Sequence, residues 1–333
     1  MATPRRLDAA LQLTPYFHCT SRCVRGSFLC GIDRTTGQDF THRRRWLRKR
    51  LLQLATIFSI KLVAFAIMEN HFHVVLRVDR DIAETWSDDE VILRWHQLFK
   101  GTELSRRHSD SETLDSSELK ILSASVRRWR NALHDISWLM RCAKEPLARL
   151  SNREDDCKGR FWEGRFHSQT LLDARAVVAC MAYVDLNPTR AQMCSVPEED
   201  PFTSLHCRFK AAYNDTAATE PLPPGLINLD EQSENKRYPQ LLVNTLEYIE
   251  LVDLTARLHR PDKRGALSSQ AMPALQRLGI NKASWQELEK CFKQHFHVLV
   301  GTSASLKQAC QALGKRYAWG QKECHDFFNG API

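Results

Sequence analysis

Apolar and polar positions alternate along Lys61 to Asp79, KLVAFAIMENHFHVVLRVD, in a way that specifies two strands. The runs Leu62 to Met68 and Phe72 to Val78 flank a polar break at Glu69 and Asn70, the pattern of a tight antiparallel hairpin. Side chains alternate across a sheet, so Phe72, Val74, Leu76 and Val78 share one face. His71, His73 and Arg77 share the other, which the same pattern leaves open while the apolar face seeks a core.

The same reading extends outward. Tyr16 to Arg22 predicts a first strand with Tyr16, His18 and Thr20 on one face. Thr41 offers an N-cap for a helix to about Phe58, whose buried stripe is Trp46, Leu47, Leu51, Leu54 and Phe58. Helical periodicity returns from Asn131 to Leu150, and Phe166 to Leu172 predicts a further strand after the glycine-punctuated KGRFWEGRF. Asp173 then caps a helix ended by Asn187-Pro188. In it Val177, Met181 and Val184 face the sheet, and Ala176, Cys180, Tyr183 and Asn187 form another stripe.

Strand, helix, strand, strand begins a ferredoxin-like βαββαβ antiparallel sheet, so the fold class is α+β. The expected organisation is a first domain over 10–212, with a charged helical insertion at about 80–130. A linker follows at 213–237, where NDTAATEPLPPG is rich in small and turn-forming residues. A mainly helical accessory region occupies 238–333, with segments at Leu241 to Leu258, Ser284 to Val300 and Ser305 to Trp319.

With 333 residues the chain can bury a large core, and its net charge of +8 points to a polyanionic partner. Nucleic acid fits better than a membrane, because the longest apolar run, Leu62 to Met68, is far too short to cross a bilayer. Arg5 and Arg6 are not followed by the apolar stretch of a signal peptide, so a cytoplasmic protein is expected. Eleven cysteines without a C-x-x-C pair read as reduced core thiols.

Two histidines on one strand face stand roughly 6 to 7 Å apart at Cα, within reach of one cation, and neutral imidazole is a common ligand for divalent metals. The competing reading is a pair of satisfied, half-buried side chains. His295-Phe296-His297 repeats the tripeptide on an expected helix, where about 100° per residue would splay the two rings. The first predicted helix carries Arg43, Arg44, Arg45, Arg48, Lys49 and Arg50 with no acidic residue, favouring phosphate contact over a merely solvated face. Arg160 and Arg165 can also pair with phosphates, while Phe161, Trp162 or Phe166 either stack on unpaired bases or fill the core. By itself Tyr183 is an ordinary packing residue, and Asn187 an ordinary helix cap.

Taken in order, MENHFHVVL, GRFWEGRFHSQ and AYVDLNPTRA resemble the single-tyrosine HUH transposases, especially the REP-associated tyrosine transposases and their insertion-sequence relatives. The resemblance covers roughly Leu13 to Arg208. It implies His71 and His73 as metal ligands, Tyr183 as nucleophile, and Asn187 in place of the polar residue four positions after the tyrosine. Asn187 is one methylene shorter than the Gln often found there. It further implies Mg²⁺ or Mn²⁺, single-stranded or hairpin DNA as partner, and a 5′-phosphotyrosine intermediate. Relatives occur as monomers and as homodimers. The alternatives are a regulator that binds nucleic acid without cleaving it, and a single-stranded RNA binder, which would carry stacking aromatics on its central strands.

Overall fold

In the computed structural model, described over residues 9–33, 36–213, 221–231, 239–258, 271–278, 280, 284–285, 292 and 298–317, a five-stranded mixed sheet is packed by helices on both faces. Strand β1 (Tyr16–Arg22) leads to helix α1 (Thr41–Ile57) and the hairpin β2 (Ile60–Ile67) and β3 (His71–Val78). Helices α2 (Arg80–Thr85), α3 (Asp88–His96), α4 (Glu103–Ser109), α5 (Ser116–Ala132) and α6 (Ile136–Glu154) follow. Next come β4 (His167–Leu171), α7 (Ala174–Asp185), α8 (Asn187–Arg190), α9 (Ser204–Tyr213), α10 (Thr245–Leu258), α11 (Ala271–Leu278), β5 (Leu299–Val300) and α12 (Ser303–Ala312). The strand order is β2-β3-β1-β4-β5, with the β4–β5 pair parallel and the others antiparallel.

Alternation decides which residues meet which layer. Phe17, Phe72, Val74, Leu76 and Val78 join Leu47, Leu51 and Leu54 of α1 and Leu139 and Leu147 of α6 in one core. Tyr16, Val63 and Val75 point the other way, against Val177, Met181 and Val184 of α7 and Tyr248 and Leu251 of α10. The histidine face is therefore not an open surface: α7 lies over it, and His18 and His73 are each only 3% exposed.

Local details depart from expectation for physical reasons. Thr41 is the first helical residue rather than the cap. Phe40 occupies the cap position with no side-chain bond, and the Thr41 N–H donates to Asp39 Oδ1 at 2.7 Å. Leu299 and Val300, expected at a helix end, pair with Thr170 and Leu171 and extend the sheet. His295 and His297 lie outside the described residues. Within the expected linker, the Leu62 N–H donates to Gly225 O at 2.9 Å and the Ile227 N–H to Leu62 O at 2.8 Å, which covers the β2 edge. Gly225 sits at φ +89° with a Cβ position 2.7 Å from Ala55 Cβ, so both backbone and space there require glycine. No helix among the described residues is long and apolar enough to cross a membrane.

Candidate active site

Strand register builds the imidazole cluster. His18 on β1 stands opposite Gln169 of β4 and Val75 of β3, which makes His73 its diagonal neighbour. Accordingly His18 Nδ1 is 2.7 Å from Gln169 Oε1, and His18 Nε2 is 2.9 Å from His73 Nδ1. The two rings lie 10° from parallel. His71, half-buried at the start of β3, brings its ring centroid to 5.0 Å from that of His73 and its Nδ1 to 2.5 Å from Asn70 Oδ1.

These bonds fix tautomers. A carboxamide oxygen only accepts, so His18 in its neutral form donates from Nδ1 to Gln169 and presents Nε2 as an acceptor. His73 then donates from Nδ1 to His18, which makes Nε2 its lone-pair nitrogen. Asn70 is oriented by its Nδ2 donating to Gly26 O at 3.1 Å, so its oxygen accepts from His71 Nδ1. His71 thereby also carries its lone pair on Nε2. With these tautomers, Nε2 of each imidazole would be the nitrogen able to act as a donor to an ion.

Tyr183 reaches this cluster from α7. Asp173 caps that helix by accepting from the Ala176 N–H at 3.0 Å, and the buried Val177, Met181 and Val184 seat it on the sheet. The Tyr183 ring then meets His73 edge-on at 5.7 Å and His18 at 6.1 Å between centroids. Phe292 stacks on it at 5.2 Å, and the Arg190 guanidinium lies 4.3 Å over the ring centroid. Tyr183 is 8% exposed. Arg190 and Asn187 both donate to Tyr183 O, at 2.6 and 3.1 Å, and tie the end of α7 to the turn beyond it.

Two residues further on, Asp185 is wholly buried. Its carboxylate accepts from Tyr248 Oη at 2.6 Å, Ser204 Oγ at 2.7 Å and the Leu205 N–H at 3.0 Å. Burial nevertheless pushes the Asp185 carboxyl above its ordinary range, against the opposing pull of those donors and of Arg208. The same network raises the Tyr248 phenol, first through burial and then through the neighbouring carboxylate.

The expected cationic residues separate into buried and exposed sets. Arg43 is 0% exposed; its guanidinium bonds Glu154, Asp155 and Leu29 O. Arg44, at 6%, bonds Ile67 O and Asp200. Arg48 and Arg50 are half-buried, the first against Cys207 Sγ at 3.4 Å and the second bonding Cys142 O and Gln53. Arg45, Lys49, Arg160 and Arg165 are exposed.

The structure thus joins His71, His73 and Tyr183, while the Asn187 amide nitrogen is engaged with backbone. His18, Gln169, Arg190 and Phe292 are the members that sequence reasoning overlooked. His18 carried a signal, since it lies on the same strand face as Tyr16 and Thr20; its partner awaited the strand register. Among the described residues no group of three or more His, Cys, Asp or Glu side chains is arranged to hold a metal ion.

No family model and no curated protein matches this chain. Among solved structures, a REP-associated tyrosine transposase bound to a REP hairpin is similar, with 12% identity and a TM-score of 0.34. That likeness covers 62% of this chain and 82% of the other.

Proposed function

We propose that the protein is a DNA strand transferase of the single-tyrosine HUH type, cutting and rejoining single-stranded or hairpin DNA through Tyr183. The observation that carries the reading is the meeting of a phenol from α7 with a β3 imidazole, ring centroids 5.7 Å apart. Strand order and the α1 crossover support a ferredoxin-like βαββαβ unit, and α7, which follows its last strand, packs back onto β2 and β3.

Tyr183 Oη attacks the phosphorus of one phosphodiester. A bond forms between that oxygen and phosphorus, the bond from phosphorus to the 3′ oxygen breaks, and the leaving oxygen takes up a proton equivalent to the one the phenol loses. The products are a 5′-phosphotyrosine and a free 3′-OH. One diester has replaced another, so reversal onto a new 3′-OH needs no nucleotide cofactor. Arg190, whose guanidinium lies over the ring, supplies positive charge that favours loss of the phenolic proton.

The two β3 imidazoles are the candidate ligands for a divalent cation. His71 and His73 would hold Mg²⁺ or Mn²⁺ through Nε2, with the carboxamide oxygen of Asn187 as the third candidate donor. Such an ion, when bound, supplies Lewis-acid neutralisation of the phosphate oxygens. His18 and Gln169 act behind the ligands by holding His73 in one tautomer and one orientation. Arg45, Lys49, Arg160 and Arg165 are the cations available to the DNA backbone.

A binding-only regulator is the second reading, and the observation that favours it is the burial of Tyr183 beside Phe292. Incubation with a tailed DNA hairpin and Mn²⁺, followed by a denaturing gel, separates the two. A covalent protein–DNA band that disappears in Tyr183→Phe is expected. Equal behaviour of wild type and variant removes the nuclease reading, and salt-dependent hairpin binding without any band establishes the regulator.

A further inference from the structure

Three helices that follow β3 meet around a group of tryptophans. Trp95 of α3 stacks on Trp129 of α5, ring centroids 5.4 Å apart and 9° from parallel, and Trp138 of α6 meets Trp95 edge-on at 5.5 Å. Phe99 backs them, 4.6 Å from Trp95 and 5.9 Å from Trp138. The three indoles wall a cleft of 480 Å³, completed by Arg128, Asn131, Ala132 and Asp135, a volume in the range of small-ligand sites. Trp95 and Trp129 share a core with Phe72 and Val74, whereas Tyr183 belongs to the core on the other face of the sheet. The cleft therefore lies on the opposite side of the sheet from the imidazole cluster.

Its hydrogen-bonding groups are unevenly spent. A buried indole N–H ordinarily finds an acceptor, as Trp162 does on Lys144 O at 3.0 Å and Trp285 on Thr255 Oγ1 at 2.9 Å. Trp95 and Trp129 are each 8% exposed, yet neither they nor Trp138 donate to a protein acceptor among the described residues. None of the three nitrogens is sealed from solvent. Arg128, exposed on the rim, commits one nitrogen to Ser125 Oγ at 3.2 Å. Asp135 caps α6, its Oδ1 accepting from the Ser137 N–H at 2.5 Å. Uncommitted donors thus outnumber acceptors, between flat aromatic walls.

That inventory selects among ligand chemistries. An ammonium group would suit the rings but would face Arg128 and leave the indole donors unmet. A small anion would meet the donors and make no use of the rings. A nucleobase presents a flat ring edged with acceptor atoms, and its phosphate gives the rim guanidinium an anion. We propose that this cleft binds one nucleotide, with the base against the tryptophan walls and the phosphate on Arg128, as a site separate from the one at which Tyr183 acts. Its occupancy does not depend on strand transfer. In the run Arg127 to Arg130, Arg130 is committed to Ala83 O and Asp88, which leaves Arg128 and the exposed Arg127 for the anion.

The four deoxynucleoside 5′-monophosphates, and separately a short unpaired oligonucleotide, are titrated by calorimetry into the full chain without added metal. Saturable binding of at least one probe is expected. Arg128→Ala should lose about tenfold in affinity with the charge-assisted phosphate contact, and Trp138→Ala about fivefold or more with the stacking wall. Asn131→Trp, an indole in place of an exposed lining amide, should obstruct the cleft and abolish this binding. Binding of the monophosphates identifies a free nucleotide as the ligand; binding of the oligonucleotide alone identifies a nucleotide within a strand.

Arg128 and Asn131 are exposed, so their variants report even where Trp138→Ala misfolds. Affinities unchanged in both Arg128→Ala and Asn131→Trp would overturn the site, as would absence of binding by either probe. Tetramethylammonium binding that Asn131→Trp removes, without nucleotide binding, would overturn it in favour of a cation cage. The denaturing-gel assay keeps the two proposals apart. Asn131→Trp should still form the covalent DNA band, and Tyr183→Phe should lose the band while keeping the Arg128-dependent binding.

Discussion

His18 Nε2 lies 2.9 Å from His73 Nδ1 although 55 residues separate them along the chain. The contact makes His18 the group that decides which nitrogen of His73 carries the proton. On the proposed metal site, removing His18 should therefore act on the ion through His73, and on stability as well, because the ring is buried. His18→Ala is expected to weaken Mn²⁺ binding, followed by paramagnetic resonance or calorimetry, by about 10- to 100-fold. Gln169→Leu should produce a smaller loss in the same direction, because His18 keeps its ring but loses the acceptor that sets its tautomer. Unchanged Mn²⁺ affinity in both variants would remove the relay.

The cations of α1 divide into two experimental classes. Arg45 and Lys49 are exposed and one helical turn apart. Replacing either with Ala should leave the melting temperature alone and flatten the plot of log affinity against log salt by about 0.7 to 0.9 for each phosphate no longer neutralised. Arg43→Ala should do the opposite. It abandons Glu154 and Asp155 without the guanidinium that pairs them, at a cost of about 2 to 4 kcal/mol in urea unfolding.

Asp185 anchors the tyrosine helix to α10. Asp185→Ala strips the acceptor from Tyr248 Oη, Ser204 Oγ and the Leu205 N–H together, and leaves Arg208 buried without its nearby carboxylate. A loss of about 2 to 4 kcal/mol is expected in denaturant unfolding. Tyr248→Phe should cost about 1 kcal/mol, since it removes one donor and keeps the ring. A neutral Asp185→Ala would mean that α10 does not hold α7.

Lys144 gives a stability effect with a definite sign. Its ammonium falls from 10.5 in the unfolded chain to about 8 in the fold, chiefly by burial. Between those values the unfolded chain binds more protons, so stability rises as pH increases through this window and is lost as pH falls back through about 8. Wild type should gain stability relative to Lys144→Met on going from pH 8 to pH 10 in urea melts. Parallel curves would show that the ammonium is no more buried than an ordinary lysine.

Much of this architecture was legible because its signals are local. The 60–78 hairpin, the first strand and the helix after Asp173 are set by periodicities that need no knowledge of distant partners. Tyr16–Arg22 matches the expected strand residue for residue. The His18–His73 contact was not legible, since a diagonal pair depends on the register of two strands and nothing in either strand states it. Arg43 and Arg44 looked like their exposed neighbours because burial of a guanidinium is decided by acids far along the chain, Glu154, Asp155 and Asp200. Leu299 and Val300 form too short a strand to carry a period, and only the edge of β4 makes them one.

The ring of Tyr183 is flanked by a phenyl group and a guanidinium, while its edges meet two imidazoles. A phenol gripped in this way has lost most of its torsional freedom, and the entropy of fixing the ring is borne by folding. On the strand-transferase reading proposed above, a phosphodiester would then meet the phenol only from a side that these four neighbours leave uncovered.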